Sequence, residues 1–130
     1  MPELQPTMTA VLAAAVGAFE SSVDQDGVWL TRYRVLRNAT ELREAEWARW
    51  ADWRTAVAEF VAARVGGSPQ DVIPSAIAGA VLSAYLAVHN AWATADQEPR
   101  EPAATLRREL LPVCSALETL ITVRQGRAGE

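Results

Sequence analysis

Apolar positions along the chain recur at intervals of three and four, and no window alternates apolar and polar residues between turn signals. That periodicity predicts helices throughout. The first helix is expected over about 7–23, with Met8, Val11, Leu12, Ala15, Val16 and Phe19 on one stripe, broken by Asp24, Asp26 and Gly27. A second, over about 28–37, turns Trp29, Tyr33 and Leu36 inward and leaves Arg34 and Arg37 outward near its own C-terminal end, where cations suit the helix dipole. The third starts at Thr40 as N-cap and runs to about 65. Trp50, Trp53, Val57 and Phe60 share one side of it, and Gly66 and Gly67 stop it. Ser68, then Pro69 at a first helical position and Asp71 in the first turn, announce a fourth helix reaching about 95, with Pro74 able to shift that start. After a proline-punctuated link over 98–102, a fifth helix over about 102–123 carries Leu106, Leu110, Val113, Leu117, Leu120 and Ile121, with Pro112 expected to kink it. Residues 1–6 look like a linker and 124–130 like a fraying tail around a single domain spanning 1–130.

The fourth segment changes the picture, because no residue between Asp71 and Asp96 is charged. Its 24 positions are long enough to cross a bilayer. Yet its few aliphatic residues each bring only about 0.3–0.6 kcal/mol of favourable insertion, and Pro74, Ser75, Ser83, His89 and Asn90 oppose them. The expectation is therefore no membrane contact, but a helix covered on more than one side. Ile77, Val81, Tyr85, Val88 and Trp92 form its core face. Val72, Ala76, Gly79, Ser83, Ala87 and Asn90 form a stripe of mostly small residues that admits a second helix at close range. That second helix belongs either to another copy of the chain or to the fifth helix of the same one, and two-fold pairs are the commonest closed assembly.

Composition narrows the function. The 130 residues carry twelve basic and sixteen acidic side chains, a net charge of -4, and every basic residue is arginine. No block of them would bind nucleic acid phosphates, and the absence of lysine excludes Schiff-base chemistry and a P-loop. One cysteine, Cys114, excludes an internal disulfide, and no secretory leader is evident, so a cytoplasmic location is expected. His89 has no second histidine and Cys114 no second cysteine, so no metal and no cofactor are expected. Ser75 or Ser83 with His89 could form the rudiment of a hydrolase, but neither serine sits in a nucleophile elbow, and no catalytic residue is assigned. Glu41, Glu44, Glu46, Arg43, Arg49, Asp52 and Arg54 read as a solvated face of weak ion pairs. Gly66, Gly67 and Ser68 read as a stop and a cap more simply than as an anion cradle.

Five tryptophans are many for this length. Trp29, Trp47, Trp50, Trp53 and Trp92, with Phe19, Tyr33, Phe60 and Tyr85, either fill the core or line an apolar cavity. Tyr85 and His89 are four apart on one helix face, so their polar tips could orient a ligand there. The plain alternative for His89 is a buried, hydrogen-bonded histidine.

The order of the residues resembles a known family. Val11-Leu12-Ala13-Ala14-Ala15-Val16 with Phe19 leads to Arg32-Tyr33-Arg34-Val35-Leu36 and then Ala39-Thr40-Glu41-Leu42. Trp53, Ala56, Val57, Phe60, Val61, Ala62, Arg64 and Gly66 follow, then Asp71 opening an alanine-rich helix that ends at Trp92. Over roughly 7–122 this is similar to the C-terminal domain of tetracycline-repressor (TetR) family regulators. The resemblance implies an all-α, five-helix bundle that senses a ligand and dimerises. A small, mainly apolar effector would sit among the first four helices, against Phe19, Trp29, Tyr33, Trp50, Trp53, Tyr85 and His89. A homodimer would form through the fourth and fifth helices, at Ala76, Gly79, Ser83, Ala87, Asn90, Leu110, Val113, Leu117 and Leu120. The family's DNA-reading helix-turn-helix has no counterpart in this sequence, so DNA would be reached only through a missing N-terminal part. A fragment or shortened reading frame of a repressor is the expectation, ahead of a free-standing effector-binding dimer. The competing reading is a stand-alone small-molecule binding protein or minor enzyme using the same apolar pocket, with Tyr85 and His89 as acid-base groups.

Overall fold

A computed structural model describes residues 5–23, 27–95 and 98–128. The fold is all-α: α1 (Thr7–Ser22), α2 (Val28–Asn38), α3 (Thr40–Val65), α4 (Val72–Thr94) and α5 (Pro102–Ala128). Among the described residues there is no strand. Of the linker-like stretch 1–6, only Gln5 and Pro6 are described, and the Arg64 guanidinium ties the Gln5 carbonyl to α3 at 2.8 Å. Asp24 and Asp26, expected to break the first helix, lie outside the described residues.

The helix ends follow local chemistry. Pro6 has no side chain that could cap α1, so a distant carboxylate serves: Glu118 Oε2 accepts the Met8 N–H at 2.8 Å, holding the start of α1 on α5. α3 stops where the Gly66 N–H donates to the Ala62 carbonyl, and Gly66 and Gly67 take φ of +84° and +105°, a region that side chains disfavour. The fourth helix departs from expectation: it begins at Val72, not at Pro69. A start at Pro69 would put Pro74 inside the helix, where its missing N–H and its ring break the ladder. The observed start puts Pro74 at the third position, where no N–H is needed. Ser68 instead joins a turn in which its N–H donates to Asp71 Oδ2 at 2.9 Å. α5 passes through Pro112 and continues to Ala128, beyond the end expected near Val123.

α1 lies chiefly along α5, and α4 lies between α3 and α5 with α2 across its C-terminal half. The whole predicted stripe of α1 is buried, from Met8 to Phe19. It meets Val57, Ala58 and Val61 of α3, Ile77, Ala78 and Val81 of α4, and Leu106, Leu110, Cys114 and Ile121 of α5. By length and composition α4 qualifies as a membrane span. Its predicted core face, including Ile77, Val81, Tyr85 and Trp92, is buried in the domain. Its small-residue stripe is not covered by α5: Val72, Ala76, Ser83 and Ala87 are exposed and Gly79 is half-buried. Within one chain, α4 thus packs on α3, α5 and α2 and leaves this stripe open.

Candidate functional site

The aromatic residues converge where α1, α2, α3 and α4 meet. His89 and Tyr85, one turn apart on α4, are stacked with ring centroids 4.3 Å apart. Phe19 of α1 stands edge-on to His89 at 5.2 Å and to Trp29 of α2 at 5.3 Å. Tyr33 of α2 lies 5.4 Å from His89, while Trp50 and Trp53 of α3 lie 5.5 and 6.1 Å from Tyr85. Trp92, which the sequence places on the core face of α4 and among the aromatics of core or cavity, joins the cluster 5.2 Å from His89 and 5.6 Å from Trp29. All seven predicted ligand contacts are therefore neighbours.

An open depression of about 150 Å³ borders the cluster, lined by Phe19, Trp29, Tyr33, Trp50, Tyr85 and His89, with Ser22, Arg32, Leu36, Glu46 and Arg49. Tyr33, Leu36, Glu46 and Trp50 also border an outer pocket of about 310 Å³, completed by Arg37, Trp47, Leu86 and Asn90. That volume lies in the range of small-molecule sites. Trp53 lines neither. It borders a separate apolar recess with Ala10, Val11, Ala14, Ala56, Val57 and Phe60.

Burial controls the polar groups. His89 is 5% exposed, and its Nδ1 lies 3.0 Å from the Tyr85 carbonyl. A carbonyl only accepts, so Nδ1 carries the proton and Nε2 is left with its lone pair when the ring is neutral. Burial lowers the His89 pKa, partly opposed by that backbone bond. Burial pushes the Tyr85 phenol up to about 12, with Tyr33 adding to the shift. Tyr33 is raised by burial too, against the pull of the Arg37 guanidinium and with the Glu46 carboxylate reinforcing it, and its hydroxyl donates to Asn90 Oδ1 at 2.7 Å. At neutral pH the Tyr33, Tyr85 and His89 tips in the cleft are thus neutral and suited to hydrogen bonding.

Several placements correct the sequence reading. Arg34 does not serve its own helix: Nε donates to the Ala93 carbonyl at 3.1 Å, and Nη2 to those of Trp92 and Ala95 at 3.3 and 3.1 Å, capping the C-terminus of α4. Glu46 is not on a solvated face; its side chain is 17% exposed, borders both pockets and pairs with Arg49 at 3.8 Å. The side chains of Glu41 and Arg43 lie outside the described residues. Leu110, expected at a dimer contact, has 0% exposure and belongs to the chain's own core. Asn90, placed in the same stripe, is exposed, and it also accepts the Tyr33 hydroxyl and borders the outer pocket. Val113 and Leu117 are half-buried and Leu120 is exposed. Among the described residues, no cluster of His, Cys, Asp or Glu could hold a metal ion.

A bundle of five helices with an aromatic cleft beside an exposed small-residue face is the arrangement of a TetR-type C-terminal domain. A family model described as the MftR C-terminal domain matches residues 5–118, and the chain belongs to that family. A protein of Mycobacterium tuberculosis (strain ATCC 25618 / H37Rv), named as a mycofactocin biosynthesis transcriptional regulator, MftR, is 32% identical over 82 residues, 62% of this chain and 41% of its own length. The chain spans about two fifths of that relative. No solved structure matches the chain.

Proposed function

We propose that the chain is the ligand-sensing and dimerising domain of a TetR-type transcriptional repressor, cytoplasmic and without catalysis of its own. A small, mainly apolar effector occupies the cleft between α2, α3 and α4. Two copies pair through Ala76, Gly79, Ser83 and Ala87 of α4 with Val113, Leu117 and Leu120 of α5. Operator DNA is contacted by a helix-turn-helix that these residues do not contain. The observation that carries this reading is the depression itself: six side chains singled out as ligand contacts border it. Membership of a family whose relative is named as a regulator supports it.

Such an effector acts by preferring one of two arrangements of the pair. α4 is placed for this, since Tyr85 and His89 face the cleft while Ser83 and Ala87 lie exposed on the same helix. Sedimentation equilibrium of the chain, with a screen for compounds that raise its melting temperature, tests both halves. A monomer at high concentration removes the pairing. Compounds that stabilise wild type and a cleft-filled Leu36→Trp variant equally remove the cleft.

A further inference from the structure

Trp29 Nε1 is a buried nitrogen with no hydrogen-bond partner among the described residues. Its ring stands edge-on to Phe19 of α1 and Trp92 of α4, at 5.3 and 5.6 Å, and ring faces are weak acceptors beside water. Closure over the aromatic cluster therefore leaves a donor poorly satisfied, a penalty that ends once the indole reaches water. The helix that carries it is lightly held. α2 buries two side chains, Trp29 and Leu30, against seven on α1 and eight on α4. It leans mainly on α3, to which the single residue Ala39 joins it, and less on α4. Besides the rings, its hold on α4 is polar: the Arg34 guanidinium on the carbonyls of Trp92, Ala93 and Ala95, and the Tyr33 hydroxyl on Asn90 Oδ1. Water can replace each of these bonds, since all lie at exposed or partly buried positions.

We infer that α2 is a gate over the aromatic cluster: it swings out from α4 and α1 as a unit, turning on its junction with α3, while α1, α3, α4 and α5 stay packed. Opening breaks the Arg34 and Tyr33 bonds, frees Trp29 Nε1 to water, and bares the sides of Phe19, His89 and Trp92 that Trp29 covers. With α2 down, all three of those rings are buried. The depression of about 150 Å³ beside them is smaller than the usual small-molecule site, so a larger guest meets these rings only with α2 out. Arg34 is the latch, because one side chain makes three of the four bonds that opening must break. That an effector uses the gate rests on the cleft proposed above; the opening itself does not.

Hydrogen exchange of the unliganded chain tests it, with the Trp29 indole N–H assigned through its contacts to the Phe19 ring. In wild type the indole, measured against free tryptophan, should be protected at least tenfold less than the slowest amides of α1 and α5. Its opening should also respond to sub-denaturing urea far less than theirs, because little surface is exposed. Arg34→Ala removes the latch and should speed the indole exchange roughly fivefold to thirtyfold. Ile121→Val, in the buried core of α5, which packs on α1, α4 and α3, should speed the slowest amides roughly twofold to tenfold and leave the indole unchanged. An indole as protected as those amides, with their urea dependence, means that α2 leaves only when the whole domain unfolds, and the inference falls. An indole that Ile121→Val accelerates as much as the amides, or that Arg34→Ala leaves unmoved, overturns it too. The wild-type measurement needs no variant, so a poorly folded Arg34→Ala protein does not shelter the inference. Failure here leaves the effector cleft standing, because the outer pocket is open without any movement of α2. Conversely, compounds that stabilise wild type and Leu36→Trp equally remove the cleft and leave the gate untouched.

Discussion

Replacing Gly79 by leucine should push two measured quantities in opposite directions. Within one chain a side chain at residue 79 is harmless, since a Cβ there meets nothing within 4 Å. Glycine inside a helix is roughly 0.8–1 kcal/mol worse than alanine and leucine nearly matches alanine, so the isolated chain should gain roughly 0.5–1 kcal/mol. Its melting temperature should rise by roughly 2–6 °C at concentrations where only single chains are present. In the proposed pair the same side chain enters the closest approach of two helices, once from each copy. Overpacking costs about 1–3 kcal/mol per insertion, hence about 2–6 kcal/mol for both, which raises the dimer Kd roughly thirtyfold to twenty-five-thousandfold. Sedimentation equilibrium over a wide concentration range gives the Kd, and circular dichroism at the dilute end gives the stability. A variant that pairs as tightly as wild type refutes the assignment of this face. A variant that loses helicity when dilute refutes the claim that residue 79 is open within the chain.

Three further outcomes follow from the packing. Phe19→Ala removes the ring shared by Trp29, His89 and Trp92, and should cost about 3–5 kcal/mol in urea unfolding; a loss below about 1 kcal/mol would mean that the cluster collapses into the gap. Arg34→Ala releases three carbonyls at the end of α4 and should cost about 1–2 kcal/mol given their partial exposure, and Arg34→Lys should recover little because one ammonium cannot span them. Full recovery by lysine would show that charge alone matters. His89 titrates below its ordinary value when folded, so its neutral form is favoured by folding. That contribution is whole above the unfolded pKa near 6.5 and is lost as pH falls from there through the folded value. Urea midpoints of wild type should therefore drop from pH 7.5 toward pH 5.5 more than those of His89→Phe, and parallel curves would contradict the direction of the shift.

Much of the bundle could be read from spacing because each helix carries its own address. The α1 stripe from Met8 to Phe19 needs one face buried, and any five-helix solution must bury it. The cleft aromatics were legible for a related reason: Tyr85 and His89 share one face of α4, and the large residues of the other helices had to meet them. Where the reading failed, the deciding partner was remote in sequence. Leu110 lies on the same heptad-like run as Leu120, but α1 and α4 cover one edge of α5 and leave the other open. Arg34 and the carbonyls it caps are about sixty positions apart, beyond any local rule. Glu46 looked like its solvated neighbours, although its position under Tyr33 follows from how α2 crosses α3. The start of α4 was decided locally, by Pro74, whose effect outweighed the Ser-Pro signal before it.

One rod, α4, forms a wall of the cleft and carries the open stripe, and Arg34 grips its end. In the proposed pair, signal transfer needs no relay through intervening residues, because the reporter and the receptor are opposite flanks of a single stiff body. Thermodynamic reciprocity makes the traffic two-way. In the proposed pair, bulk added at Ala87 that splits the dimer should change the affinity of the cleft for its proposed guest by at most the factor by which that guest changes association.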